Sequence, residues 1–541
     1  MTDHSRMEAS RDLEEDVPPG RPAAMMWFLR ALGVAVAVVV YALLDAQPDL
    51  TPDARAVAGI LALMAVWWMT EAVPLPVTSL LPIVLIPALT RQSVGQTAAP
   101  YASSTIFLFL GGFLIAIAME KWNLHLRIAL LTLRRVGLQP RRMVLGLMLA
   151  TAFLSMWVSN TATALMMLPI ATSVLALVLE RSGRAADAQA LAAGASIAAS
   201  VGDRNIANFG VCIVLAVAWS ASIGGIGTLI GSPPNAILAG YAAETLEREI
   251  SFVRWMMIGV PLALVFVLVG WVLMTRVMYR FDLPEIPGGR GLIDAQIRDL
   301  GPLSQGERMV LLVFLGAAFF WTVPSILASV PALRAAAPWL GGFDDTATAI
   351  AAGILLFILP GRGRTQMLLD WKDAEEGLPW GVLLLFGGGL SLAAAVSSTG
   401  LDAWFGQRVS GLGSLPTVWV VVALVAIVVM ITEIASNTAM AATIIPILGA
   451  VAPGIGIDPL LLLVPATLAL SLAFMLPVGT PPNAIVFATG RVTMAQMVRG
   501  GVLMNAASVL LITLAIYLLG PIAMGVAFCP PARLPSGAGL D

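Results

Sequence analysis

Charge is scarce in this chain. Of 541 residues, 30 are lysine or arginine and 32 aspartate or glutamate, so charged side chains make up 11% against 59% hydrophobic ones. A soluble globular protein carries about 25% charged residues. A core surrounded by water cannot hide such an apolar excess, and with a mean hydropathy of +0.91 the solvent for most of the chain must be lipid. The formal net charge of −2 lacks the basic face that a nucleic-acid partner wants. Cysteine and histidine are nearly absent. Cys212 and Cys529 lie far apart and inside or beside apolar runs and do not make a disulfide framework or a metal site, and His4 and His125 supply no metal cluster. An intramembrane enzyme would need a Ser/Lys pair, paired aspartates or zinc-binding histidines at membrane depth. None is present, and no enzyme is expected.

The layout of a cleavable signal peptide is also missing. Residues 1–25 are polar and contain Pro18-Pro19-Gly20-Arg21-Pro22, which reads as a disordered cytoplasmic tail. A membrane helix needs about 20 mostly apolar residues. Eleven candidates fall near 27–45, 54–70, 76–90, 105–130, 206–240, 253–277, 309–327, 345–360, 381–400, 459–490 and 500–526. Two further apolar stretches, 143–179 and 416–450, are too long for one span and are interrupted by Ser-Asn-Thr. Basic residues cluster at Arg134, Arg135, Arg141 and Arg142, again from Arg276 to Arg308, and at Arg362 and Arg364. The positive-inside rule makes these loops and the N-terminus cytoplasmic. Eleven spans then place the C-terminus, with a tail at 527–541, outside. The expected setting is an integral protein of a bacterial inner membrane.

An internal repeat organises the rest, and such repeats decide a fold. Leu110-Gly111-Gly112 matches Phe386-Gly387-Gly388. Ser159-Asn160-Thr161-Ala162 with Leu168-Pro169-Ile170 matches Ser436-Asn437-Thr438-Ala439 with Ile445-Pro446-Ile447. Gly231-Ser232-Pro233-Pro234-Asn235 matches Gly479-Thr480-Pro481-Pro482-Asn483. The order is the same in both halves. The first Ser-Asn-Thr is flanked by cytoplasmic loops and the second by outer ones, so the repeats are inverted. Inverted repeats with interrupted helices near the midplane are a transporter architecture, with the site at the repeat interface. The expected fold is an all-α polytopic membrane protein of about 11 transmembrane helices, each repeat holding a re-entrant helical hairpin and a broken helix. The first repeat spans 26–277, with its break at 231–235. A cytoplasmic linker covers 278–308. The second repeat spans 309–526, with its break at 479–483.

The motifs suit an anion together with a cation. A helix that breaks within lipid exposes backbone groups that only protein or a water-filled cavity can cover. Proline removes a donor, and the two half-helices leave a carbonyl-rich end for a hard cation and an N–H-rich end for a carboxylate. Ser, Asn and Thr are turn and N-cap residues, and capping alone would account for a single copy. Two copies in inverted halves, each followed by a Pro-Pro-Asn break, argue for a site. No lysine or arginine lies in these motifs, so bound sodium ions would supply the positive charge.

At these residues the chain resembles the divalent anion/sodium symporter family, from Trp67-Trp68-Met69-Thr70-Glu71-Ala72-Val73-Pro74 to the last span. The resemblance implies an elevator-type homodimer that carries succinate, malate, fumarate or citrate with two or more Na+ ions. Sulfate or another inorganic divalent anion is the alternative cargo. Mapped by motif, it implies a first sodium site at Ser155, Ser159, Asn160 and the backbone of Gly231. A second would use Thr432, Asn437 and the backbones of Ala435 and Gly479. Substrate would meet Ser159, Asn160, Thr161, Ser436, Asn437 and Thr438, with Thr480 and Pro481 nearby. Glu433 and Glu71, being ionisable within or beside apolar spans, are functional suspects by default. Pairing of Glu433 with a buried donor, and an interfacial place for Glu71, are the plainer expectations.

Overall fold

The computed structural model describes residues 22–526, apart from 138, 193–195, 198–200, 285–288, 329, 364–365 and 410–414. The expected tails at 1–25 and 527–541 lie outside these residues but for 22–25. The chain opens with α1 (Ala23–Asp45), α2 (Pro52–Thr70) and α3 (Leu81–Leu89). Thr51 caps α2 by accepting from the Ala54 N–H, and Pro52 fills its first turn, where a missing donor costs nothing. Glu71 ends α2 in the left-handed region, exposed to solvent. α1 turns Trp27, Phe28, Val38, Val39 and Leu43 outward. In water such a face would be unstable; in a bilayer it is the outer surface.

The span expected at 105–130 is two elements. α4 (Ser104–Lys121) ends at Trp122, Asn123 takes a left-handed φ of 55°, and α5 (Leu124–Val136) leaves in a new direction. Hydropathy counting misses this because Leu, Ile and Ala continue through the corner. α5 carries Arg127, Arg134 and Arg135, and it is pinned rather than spanning: Arg127 pairs with Glu307 at 2.6 Å and also donates to the Gly301 carbonyl.

The first hairpin follows. α6 (Pro140–Ser155) and α7 (Asn160–Arg181) are joined by the turn Met156–Ser159. α8 (Arg204–Gly225) and α9 (Pro233–Glu244) form the broken helix, and α10 (Phe252–Val272) closes the half. The second half contributes α11 (Gln305–Ala328), α12 (Asp345–Ile358), α13 (Trp380–Ser398) and the short α14 (Leu401–Val409). Its hairpin is α15 (Thr417–Thr432) and α16 (Asn437–Gly454), its broken helix α17 (Pro459–Leu470) and α18 (Pro481–Ala488), and α19 (Met494–Met524) is last. A two-stranded ribbon, Pro360–Arg362 with Gln366–Met367, is a small addition to the helical expectation.

Both breaks begin earlier than the Pro-Pro pairs. The helix is interrupted from Ile226 to Ser232, and again from Ser471 to Thr480. Each proline pair instead opens the second half-helix at its first two positions, where a fixed φ and a missing donor are tolerated.

Packing repeats between the halves. α8 lies against both arms of the first hairpin, and α17 against both arms of the second. α8 is buried on every side from Phe209 to Gly225, and α17 from Leu460 to Leu470, as expected of helices that are apolar all round. α10 packs on α6, and α19 on α15. The second half-helices cross over: α9 packs on α16 and α17, while α18 packs on α7 and α8. α4, α11 and α12 pack on one another, and α4 also meets α9 while α11 meets α10. There Gly111 admits the Ala349 backbone, which a Cβ would approach to 2.4 Å. The outer surface of α19 shows Leu510, Leu514, Leu518 and Ile522, one every four residues, exposed as a stripe.

Candidate substrate and cation site

Each Ser-Asn-Thr is the first turn of a helix. Ser159 is the N-cap of α7, and its hydroxyl accepts from the Ala162 N–H at 3.2 Å. Ser436 holds the same place on α16 but makes no side-chain cap bond. Capping therefore accounts for the first serine and leaves the second unexplained. Asn160, Thr161, Ser436, Asn437 and Thr438 are all half-buried at the tips, and Ser159 is exposed.

Behind the first tip, oxygens crowd together. The Ser155 hydroxyl, fully buried, donates to the Ala221 carbonyl at 2.7 Å and touches the Asn160 amide oxygen. That same amide position lies 3.1 Å from the Ala221 carbonyl and 3.3 Å from the Gly231 carbonyl. An amide can present either end. With nitrogen inward it donates to all three of these oxygens; with oxygen inward, the amide oxygen sits among three others within 3.3 Å. Hard cations take oxygen ligands, so the second orientation fits sodium and the first satisfies the cluster without it. Gly231 closes the cradle. A Cβ there would sit 2.7 Å from the Gly225 carbonyl and 3.1 Å from those of Ser155 and Met156.

The second tip repeats the arrangement with other residues. The buried Thr432 hydroxyl hydrogen-bonds to the Asn437 amide oxygen and contacts the Leu470 carbonyl at 3.1 Å. Ala435 is buried within the turn. Gly479 is confined by Ala473 and Glu433, its Cβ position lying 2.7 and 3.2 Å from them. Thr480 is buried and Pro481 exposed.

The breaks themselves are braced alike. Asn235 donates its amide to the carbonyls of Gly225 (3.0 Å) and Thr228 (2.8 Å). Asn483 donates to those of Ala473 (3.0 Å) and Leu476 (3.1 Å). The same offset of 248 relates every partner. Freed carbonyls that lipid could not satisfy are thus paired inside the protein.

Glu433 breaks the symmetry. It is 2% exposed and has no cationic partner among the described residues. Its Oε1 accepts from the N–H groups of Phe474 and Met475 and from the Asn505 amide, and its Oε2 from the N–H groups of Met475 and Leu476, all at 2.7–3.0 Å. Pairing with buried donors is therefore what the structure shows for this residue. The first half has Met156 at the matching place. Its side chain fills the space beside Gly227, and its carbonyl accepts from the Thr228 hydroxyl.

The motifs did not reveal two hydroxyl pairs that join the halves. Ser232 and Ser471 are 2.9 Å apart, and Ser222 reaches Thr480 at 3.5 Å. Ser232 and Thr480 belong to the repeated motif, but nothing in the sequence pairs them with Ser471 and Ser222. A cavity of about 930 Å³, lined by Glu249, Arg254, Asp344 and Asp345 among others, includes neither tip.

The sequence model of the sodium:sulfate symporter transmembrane region matches residues 25–526. The chain belongs to that family. This family member is an integral membrane transporter and not an enzyme. It is 39% identical over 500 residues to the sodium-dependent dicarboxylate transporter SdcS of Staphylococcus saprophyticus, covering 92% of each chain. It is 40% identical over 482 residues to SdcS of Staphylococcus aureus (strain MRSA252), covering 88% of each. Among solved structures, the Alcanivorax borkumensis YdaH transporter superposes with a TM-score of 0.54 at 13% identity, over 94% of this chain and 99% of that one. Neisseria gonorrhoeae MtrF gives 0.52 at 12% identity, over 94% and 97%. At such identities these two show a shared fold alone.

Proposed function

We propose that the transporter couples the entry of a small dicarboxylate, of the succinate, malate and fumarate class or citrate, to the entry of two or more sodium ions. The observation that carries this reading is the doubled oxygen cluster. Ser155, Asn160 and the carbonyls of Ala221 and Gly231 form one copy, and Thr432, Asn437 and the Leu470 carbonyl form the other. The relatives named as sodium-dependent dicarboxylate transporters align over about nine-tenths of the chain, and they supply the cargo.

In the first site the cation ligands are Ser155, Ser159, Asn160 and the Gly231 carbonyl. In the second they are Thr432, Asn437 and the carbonyls of Ala435 and Gly479. The substrate carboxylates meet Ser159-Asn160-Thr161 and Ser436-Asn437-Thr438, with Thr480 and Pro481 beside them. α7 and α16 both begin at these tips, and the N–H groups of a helix N-terminus favour an anion. Neither turn nor break contains lysine or arginine, so the dianion is held only after cations have neutralised the oxygen clusters. Coupling follows directly: without sodium the amides of Asn160 and Asn437 turn inward and the anion loses its counter-charge. The transporter works as an elevator, and the mutual packing of the hairpins with the broken helices supports their moving as one body. Two copies associate as a homodimer, with the N-terminus cytoplasmic and the C-terminus outside.

Uptake of radiolabelled succinate into proteoliposomes, with and without an inward sodium gradient, tests the reading. Succinate uptake that needs the gradient and is competed by fumarate is expected. Sodium-independent uptake would defeat the symport, and sulfate uptake without succinate uptake would reassign the cargo.

A further inference from the structure

The two proposed cation sites are joined by a reciprocal pair of hydroxyl bridges. The carbonyl of Ala221 belongs to the first oxygen cluster, and the next residue, Ser222, reaches Thr480. Thr480 directly follows Gly479 of the second site. In the other direction, the carbonyl of Leu470 belongs to the second cluster, and the next residue, Ser471, bonds Ser232 at 2.9 Å. Ser232 directly follows Gly231 of the first site. Each site thus places a hydroxyl one residue from a carbonyl of its own oxygen cluster and bonds it to the residue after the other site's glycine.

All four hydroxyl residues are buried, none more than 3% exposed. Water therefore cannot substitute for a lost partner, and an unpaired hydroxyl in such surroundings is costly. The elements that carry them are interlocked as well. α9 starts just after Ser232 and packs on the second hairpin and α17, while α18 starts just after Thr480 and packs on the first hairpin and α8. A shift of the Gly231 carbonyl on binding a cation must pull Ser232 and, through it, Ser471 and the Leu470 carbonyl.

We infer that Ser222, Ser232 and Ser471, with Thr480, are positioning residues that bind the two sodium sites into one cooperative unit, so that occupancy of either pre-shapes the other. They touch neither cation, and the inference rests on the site assignment above. Their contribution is a coupling free energy, which is reciprocal between sites. The Ser232–Ser471 pair, being the shorter, carries most of it; the Ser222–Thr480 contact at 3.5 Å is the looser arm.

The test is a sodium titration read in two ways: the initial rate of succinate uptake in proteoliposomes, and sodium-dependent protection of the purified protein from thermal unfolding. For Ser232→Ala and Ser471→Ala the Hill coefficient for sodium should fall from about 2 toward 1. Half-saturation should rise about fivefold, as for the loss of one hydrogen bond. The double variant should be no worse than either single one, since both remove the same pair. Ser232→Thr, which copies the residue the second half holds at 480, should restore cooperativity. If Ser232→Ala fails to fold, Ser232→Cys keeps the volume with a weak donor and is measured the same way. An unchanged Hill coefficient in folded single variants, or additive effects in the double, would overturn the coupling. Asn160→Ala separates the two ideas. If that variant still binds sodium normally, the site assignment has failed; if it does not, while the serine variants stay cooperative, only the coupling has failed.

Discussion

At the scale of single residues, the distribution of oxygen and nitrogen decides what the tips can bind. The Asn160 amide touches the Ser155 hydroxyl of the preceding arm and lies by the Ala221 and Gly231 carbonyls at the first break, and the Asn437 amide touches the Thr432 hydroxyl, which itself contacts the Leu470 carbonyl at the second. Replacing either by alanine deletes one inward oxygen and leaves its neighbours facing an empty volume. Half-saturation for sodium should rise tenfold or more in each case, a loss in the range seen when a metal site's supporting ligands are removed, read by sodium-dependent uptake. Glu433 plays a different part. Its carboxylate gathers three successive N–H groups and one amide, holding the second break in shape and putting a negative charge where the first half has a thioether. Glu433→Gln replaces one acceptor oxygen by a donor that faces other donors. Unfolding in detergent should then require about 2 kcal/mol less, seen as a lower Tm. Sodium should protect this variant less than it protects the native chain, because a charge beside the second site is gone. The donor set around Glu433 was not legible in the sequence, since backbone N–H groups leave no trace in residue identity. What the pattern did expose was the carboxylate's odd place in an apolar run.

At the scale of elements, the breaks are shaped structures rather than gaps. Asn235 and Asn483 each tie two carbonyls that would otherwise be orphaned. Asn235→Ala or Asn483→Ala should cost about 2 kcal/mol or more, one buried acceptor contributing ~1–3 kcal/mol when unpaired, measured as a drop in Tm with loss of uptake. Close approach is a second requirement. A Cβ on Gly224 would lie 2.2 Å from the Ala152 carbonyl, so Gly224→Ala must push α8 off α6. Overpacking of this kind costs about 1–3 kcal/mol, and here the displaced helix also carries Ala221 of the first cluster. Sodium affinity should therefore fall together with stability, an outcome that a sodium titration of thermal protection reads directly. The hairpins and broken helices were legible because their motifs recur in the same order in both halves. The beginnings of the breaks were not. Ile226-Gly227-Thr228 and Ser471-Leu472-Ala473 carry no shared spelling, and it is the Gly-x-Pro-Pro-Asn motif downstream that marks where each interruption ends. The corner at Trp122–Asn123 escaped for a related reason: one left-handed residue redirects a helix without lowering its hydropathy.

At the scale of the whole molecule, the proposed orientation places the basic loops and the loop at 45–56 on opposite sides of the bilayer, and labelling can check it. Asp49 and Glu376 are exposed, and the proposed orientation assigns them to an outer and a cytoplasmic segment, respectively. In a Cys529→Ala background, where the remaining Cys212 is buried, Asp49→Cys should react in intact cells with an impermeant maleimide and Glu376→Cys only after permeabilisation. The reverse pattern would invert the topology. The interleaving of the halves has one more consequence, which concerns synthesis. α9 packs on α16 and α17, yet those partners are made some two hundred residues later. At ribosomal speeds of about 5–20 residues per second, this delay is on the order of ten to forty seconds. Throughout it the nascent first half holds a proline-capped helix start and a braced break inside the bilayer, with the second-half surface that completes their burial not yet made. Such a chain cannot mature domain by domain. It must be sheltered as an unfinished half until its counterpart arrives, so a ribosome that stalls between α10 and α16 should leave a fragment marked for degradation rather than a folded half-transporter.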